Sequence, residues 1–281
     1  MTSALSPIPT ADALTGVDIG GTGVKAALVD PIRGRLLSDR RRVPTPQPAT
    51  PAAVAAAVLE LLGRLPGAGP VGLTVPAVVQ HGVVRTAANI DRAWIGTDAG
   101  AMFAEAIGRP CTVLNDADAA GLAEMRFGAG AGRSGVVVVV TLGTGIGTAV
   151  FTDGVLVPNT ELGHLPLKGG EAEHYAASSV REHRGLGWDK WGRRVGRYLR
   201  MLEQLLWPEL IIVGGGVSKH FDRYEAAMRS KLVADTEVVP AASLNQAGIV
   251  GAALAATGSH AAPGDGVHRA PPPFEPAEEM R

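Results

Sequence analysis

Apolar and polar positions along this chain fall into one pattern that occurs twice. Near the start, Leu14 to Ile19 and Val24 to Val29 are short apolar runs on either side of Gly20-Gly21-Thr22-Gly23. This spacing predicts a β-hairpin with the glycines at its turn. Farther on, Val136 to Leu142 is a continuous β-branched run, as in a central strand buried on both faces. It ends in Gly143-Thr144-Gly145-Ile146-Gly147, Thr148 to Phe151 returns, and Thr152-Asp153-Gly154 turns again. Strand, Gly/Thr turn, strand repeated in two halves predicts two related domains facing each other; two unrelated hairpins are the alternative.

The remaining pattern fills in the elements between. Pro44 to Pro51 reads as an extended loop, and Pro51 opens a helix to about Arg64. Val71 to Val75 is a buried strand, and Val78 to Val84 a hairpin with His81 exposed at its turn. A loop carries Asn89 and Trp94, a helix runs from about Thr97 to Ile107, and an apolar strand runs from Cys111 to Asn115. Ala-rich helix formers follow to Phe127, then a glycine-rich loop over 128–135. A helix starting at Glu171 is expected to carry Glu173 and His174 near its N-terminus. Trp188 to Trp207 is a long amphipathic helix with Trp191, Val195, Leu199, Leu202 and Leu206 as its apolar stripe. Lys190, Arg193, Arg194, Arg197 and Arg200 form a basic stripe, either a solvated face or a track for a polyanion. Leu210 to Val213 is a buried strand running into Gly214-Gly215-Gly216 and a helix. A strand over Glu237 to Val239 and a small-residue helix over Gln246 to Ala256 complete the fold. Domains are expected over 14–114 and 115–245, with helix 246–257 packing back on the first. Tails at 1–13 and 258–281 are expected to lack fixed structure.

Composition narrows the chemistry. The 281 residues suffice for two cores, and a net charge of -1 gives no global field to draw nucleic acid or an acidic membrane. Any anion site is therefore local. Lone Cys111 sits in an apolar run and reads as a buried core thiol, in keeping with a reducing cytoplasm. Residues 1–14 lack signal-peptide character, and Val136 to Val140 is too short to span a bilayer. A soluble cytoplasmic protein is the expectation.

Candidate chemistry centres on Asn115-Asp116, where a strand hands over to a helix and where α/β sheets collect their ligands. Asp116 can accept a proton from a hydroxyl that the adjacent amide orients; alternatively it only caps the helix. Gly20, Gly21 and Thr22 can offer converging N–H groups and a hydroxyl to a phosphate, and Asp18 beside them suits Mg²⁺ held through water. Glu161 and His164 can converge on a small polar ligand. With one cysteine and no H-E-x-x-H, no structural zinc site is expected.

Taken together, VDIGGTGVKAALVD, VLNDADAAGLAEMRFGAG, TLGTGIGTA, DGVLVPNTELGHL, LLWPELIIVGGGVSK and NQAGIVGAAL, in this order, resemble the ROK family of sugar kinases and repressors. Within it, the likeness is closer to the bacterial polyphosphate glucokinases. The resemblance implies a two-domain α/β fold of the actin-like, hexokinase-like ATPase (ribonuclease H-like) type. It implies Asp116 as catalytic base on the sugar 6-hydroxyl, with Asn115, Glu161, His164, Glu173 and Asn89 holding the other hydroxyls of glucose. Asp18, Gly20, Gly21, Thr22 and Lys25 would face the donor phosphates from one domain, and Gly143, Thr144 and Gly145 from the other. Gly214, Gly215 and Gly216 would border the nucleoside of ATP or further donor phosphates. Mg²⁺, polyphosphate or ATP as donor, and a homodimer are implied with it. The family's cysteine-rich zinc loop is missing, which leaves His164 to the sugar, and its usual Pro-Gly is Pro76-Ala77 here. No helix-turn-helix precedes Leu14, which speaks against a repressor. An ATP-dependent hexose kinase and a non-catalytic sugar-sensing regulator remain the rival readings.

Overall fold

A computed structural model describes residues 13–88, 90–233, 235–243 and 246–258. The first half contributes strands β1 (Leu14–Ile19), β2 (Val24–Val29) and β3 (Arg41–Val43), helix α1 (Pro51–Leu62), and β4 (Val71–Val75). The short hairpin β5 (Val79–Gln80) and β6 (Val83–Val84), helix α2 (Ala99–Ile107), β7 (Cys111–Asn115) and α3 (Asp116–Phe127) follow. The second half contributes β8 (Val136–Leu142), β9 (Ile146–Thr152), β10 (Val155–Val157), and a small hairpin of β11 (Pro166–Leu167) and β12 (Gly170–Glu171). Helices α4 (Glu173–Ala176), α5 (Ser178–His183) and α6 (Trp188–Leu206) precede β13 (Leu210–Gly214), α7 (Glu225–Arg229), β14 (Glu237–Pro240) and α8 (Ala247–Ala255).

The strands form two five-stranded sheets, β3-β2-β1-β4-β7 and β10-β9-β8-β13-β14. In each, an antiparallel hairpin leads to two parallel strands: β1 with β4 and β7 in the first, β8 with β13 and β14 in the second. The doubled strand–turn–strand pattern is thus a doubled topology. Each hairpin's glycine turn lies at the same end as the carboxyl ends of its sheet's parallel strands.

Helices α3 and α8 pack against each other, and α8 also lies on β1, β2, β4 and β7. Glycine permits this. A Cβ on Gly16 or Gly72 would strike the carbonyls of Ile249 or Ala252 in α8, and one on Gly251 the carbonyl of Ala119 in α3. The apolar clusters then separate. Trp94, Phe103, Leu61 and Leu73 fill one, while Trp191, Tyr198, Leu199 and Val213 fill another.

Several expectations need correction. Helix α2 starts at Ala99 rather than Thr97, because the Asp98 carboxylate accepts the Ala101 N–H and so takes the cap position. The helix expected from Glu171 is two short pieces, α4 and α5, parted at Ala177 by an extended ψ of 157°, and Glu171 belongs to β12. The glycines after β13 lead into a 3₁₀ turn, Ser218–Arg223, with His220 outside helical geometry, so no regular helix N-terminus points at that loop. Cys111 is half-buried, its thiol directed at the Arg109 carbonyl 3.3 Å away, and partial burial pushes its pKa up to about 11. Among the described residues, no helix is long and apolar enough to cross a membrane.

Candidate active site

Asn115, the last residue of β7, is the N-cap of α3: its Oδ1 accepts the N–H groups of Ala117 and Asp118 at 2.7 and 3.3 Å. Its Nδ2 donates to the Ala77 carbonyl at 3.1 Å. The cap is therefore Asn115 and not Asp116, whose carboxylate is left for other chemistry. Asn115 keeps one Nδ2 hydrogen for a ligand, so its main part is to fix the α3 start and the Ala77 loop.

Asp116 stands in the first turn of α3, where the helix end favours the ionised form. Its surface is exposed to solvent, yet protein crowds it. Burial first, then the charges of Asp18 and Glu161, lift its pKa to about 6 in spite of the helix end. Because water still reaches the carboxylate, the full rise belongs to a gap from which water has been expelled.

Asp18 and Lys25 face each other across the β1–β2 hairpin, Nζ 2.8 Å from Oδ2, and Thr74 donates to Asp18 Oδ1 at 3.2 Å. The ammonium of Lys25 is thereby drawn to Asp18. Gly20 and Gly23 close that turn through a 3.1 Å backbone bond, and Gly21 and Thr22 stand exposed at its tip. Arg42 braces it from behind by donating to the Thr22 carbonyl at 2.9 Å.

The second turn is its counterpart. Gly143 N–H donates to the Gly145 carbonyl at 3.0 Å, and Gly143 and Thr144 are exposed. Glu173 accepts the Ile146 N–H at 3.2 Å and lies against Gly145, where a Cβ would collide with it. Glu173 is thus anchored to the Gly143–Gly145 turn through Oε2, and its Oε1 lies 3.7 Å from His174 Nε2.

Glu161 and His164 do converge: His164 lies 3.5 Å from Glu161 and 3.0 Å from Glu171. The hydrogen bond to Glu171 holds the His164 pKa above its usual value, and burial raises that of Glu161. Among the described residues, His164, Glu171 and Glu173 are the group whose ligand atoms approach within 4.8 Å, spacing a cation would accept. The imidazolium–carboxylate pairing of His164 and Glu171 competes with metal ligation, which needs neutral imidazole. Asn89 lies outside the described residues.

Sequence reasoning missed Asp118 and Asn159. Asp118 is 2 % exposed; its Oδ2 accepts the Asn159 N–H at 2.9 Å and its Oδ1 has no partner. Burial pushes its pKa up to about 7. The Asn159 amide meets Val79 as a strand neighbour would, accepting its N–H and donating to its carbonyl, both at 2.8 Å. The loop of Glu161 and His164 is so tied to the loop of Ala77 and Val79. A φ of 59°, which asparagine tolerates, was the available signal, and it is invisible in sequence.

Gly143, Thr144 and Gly216 line one pocket of about 400 Å³, joined by Arg181, Trp188, Lys219 and His220. Gly214 is buried at the end of β13, and Gly215, at φ 86°, passes the Leu142 carbonyl too closely for a side chain. A larger pocket of about 560 Å³, walled by α3, α8 and the 130–133 loop, lies away from these groups.

The ROK family model matches residues 14–187. A polyphosphate glucokinase of Mycobacterium tuberculosis is 52% identical over 241 residues, 85% of this chain and 89% of that protein. Among solved structures, an inorganic polyphosphate/ATP-glucomannokinase from Arthrobacter sp. strain KM is similar at TM-score 0.81 and 52% identity, over 87% of this chain and 98% of that one. A ROK family glucokinase from Streptomyces griseus, solved with glucose and AMPPNP, is similar at TM-score 0.76 and 27% identity, over 88% and 99%. These neighbours share the hexokinase-like ATPase fold.

Proposed function

The chain belongs to the ROK family, and from that premise we propose that it moves a terminal phosphoryl group from inorganic polyphosphate to the 6-hydroxyl of glucose, giving glucose 6-phosphate. ATP is a second donor. One observation carries the residue-level reading: Asn115 caps α3, so the adjoining Asp116 carboxylate, held by N–H groups of its own turn, is not the cap and feels the charges of Asp18 and Glu161. Asp116 orients the sugar hydroxyl and takes its proton as it attacks the donor phosphorus. The transition state of such a transfer is loose, so alignment and charge stabilisation supply most of the acceleration. Backbone N–H groups of Gly21 and Thr22 in one turn and of Thr144 and Gly145 in the other stabilise the phosphoryl oxygens, those of Gly20 and Gly143 being used to close the turns. Glu161, His164 and Glu173, with Asn115 and Asn89, hold the remaining hydroxyls.

The repulsion of Asp18 and Asp116 and their hard oxygen donors suit Mg²⁺, which Asp18 would hold through water; when bound it neutralises charge on the terminal phosphates. The two sheets with their helices act as two lobes that close over glucose and limit donor hydrolysis. A cytoplasmic homodimer accompanies this reading, on the family's likeness.

Purified protein supplied with glucose, Mg²⁺ and either polyphosphate or ATP tests it. Glucose 6-phosphate should form with both, at higher kcat/KM for polyphosphate. Turnover with ATP alone would favour the ATP-dependent kinase, and glucose binding without turnover on either donor would favour the sensor.

A further inference from the structure

The pocket beside the second glycine turn carries a choice of donor. We propose that Arg181, with Lys219, selects polyphosphate over nucleotide by gripping chain phosphates at the place where ATP would have its nucleoside. This rests on reading that pocket as the donor site.

Four observations support it. First, Arg181 and Lys219 line the same pocket as Gly143, Thr144 and Gly216, so cations stand where the far part of a donor must lie. Second, the aromatic surface in this pocket, Trp188, is already covered. The Arg181 guanidinium lies 4.1 Å from its ring centroid and that of Arg223 4.9 Å, while Tyr224 stacks at 6.0 Å and His220 leans in at 5.3 Å. A purine would have to displace a guanidinium to stack there. A guanidinium on an aromatic face keeps its N–H edge free for anions. Third, Arg181 Nε is buried without a partner, and among the described residues its ion pair to Glu182 is a loose 3.8 Å. Unfilled donors on a fixed guanidinium suit phosphate oxygens.

Fourth, the rival polyanion track faces elsewhere. At about 100° per residue, Lys190, Arg193, Arg197 and Arg200 lie roughly 120–200° around α6 from Trp188, the residue of that helix that lines the pocket. Arg194 and Arg197 are also engaged, donating to the Tyr175 carbonyl at 3.2 Å and its hydroxyl at 2.8 Å. The phosphates of a chain leaving the active site therefore meet Arg181 and Lys219 first.

The test is steady-state kinetics of the full chain with saturating glucose, polyphosphate against ATP. Arg181→Met keeps packing on Trp188 and removes the charge; Lys219→Met removes a charge at an exposed position. Each should raise the polyphosphate KM about 10-fold, since charge-assisted bonds are lost. Glucose KM should hold, and kcat/KM for ATP should stay within about threefold or rise. The polyphosphate KM should also become less sensitive to salt. The double variant Arg193→Gln/Arg197→Gln should leave polyphosphate kinetics unchanged. Equal loss with both donors would overturn the selectivity while keeping the pocket as donor site. No loss with either would sink the donor-site reading itself. A polyphosphate defect confined to the α6 variant would move the track to that helix.

Discussion

At the scale of single residues, the account turns on which side chains are spent and which are free. Asn115 is consumed by capping and Asp116 is not. Since the Asp116 pKa sits at about 6 once water is expelled, kcat should rise with pH through a value near 6 and then level off, as the base loses its proton. A flat profile between pH 5 and 8 would argue against it. The same shift has a stability sign. A carboxyl whose pKa is raised by folding contributes stability below its unfolded value and loses it as pH rises through the folded one. With saturating glucose, Asp116→Asn should therefore melt higher than the parent at pH 8, with the difference closing below about pH 4. Asn159→Gly isolates another part: glycine accepts the positive φ and keeps the N–H bond to Asp118, while the amide bridge to Val79 goes. Glucose KM should rise about 10-fold with kcat nearly unchanged, because only sugar positioning is loosened. Equal KM in variant and parent would leave the bridge without a part in sugar binding. Asp116, Glu161 and His164 were legible in sequence as strand-end or loop polar residues. Asp118 and Asn159 were not, because their meaning lies in partners 41 and 80 residues away.

At the scale of elements, apolar periodicity located the long buried strands and helices, because runs such as Val136–Leu142 allow few alternatives, but not the short strands β10, β11 and β12. Ends were less legible where a polar side chain decided them, as Asp98 does for α2. The region around Glu171–His183 was misread because helix formers there are overruled by hairpin β11–β12, which brings Glu171 to His164. Contact between α3 and α8 depends on absent side chains. Gly251→Val should cost about 3 kcal/mol in chemical denaturation, since a backbone carbonyl of α3 cannot yield as a side chain would. A loss under about 1 kcal/mol would mean that the helix pair slides apart freely.

At the scale of the whole molecule, one topology is used twice, and α3, which follows the first sheet, packs against β9 of the second with Asp116 in its first turn. A net charge of -1 gives no long-range attraction for a polyanion, so donor capture rests on local cations such as Arg181 and Lys219. Lobe closure should appear in small-angle scattering as a smaller radius of gyration when glucose is added; an unchanged radius would speak for a preclosed gap. The central claim, that Asp116 takes the proton from the sugar, is met most directly by Asp116→Asn. Polyphosphate-dependent kcat should fall at least about 10³-fold, while glucose affinity by calorimetry stays within about threefold. A variant that turns over at near-parental rate, or one that loses glucose binding along with activity, would contradict the account.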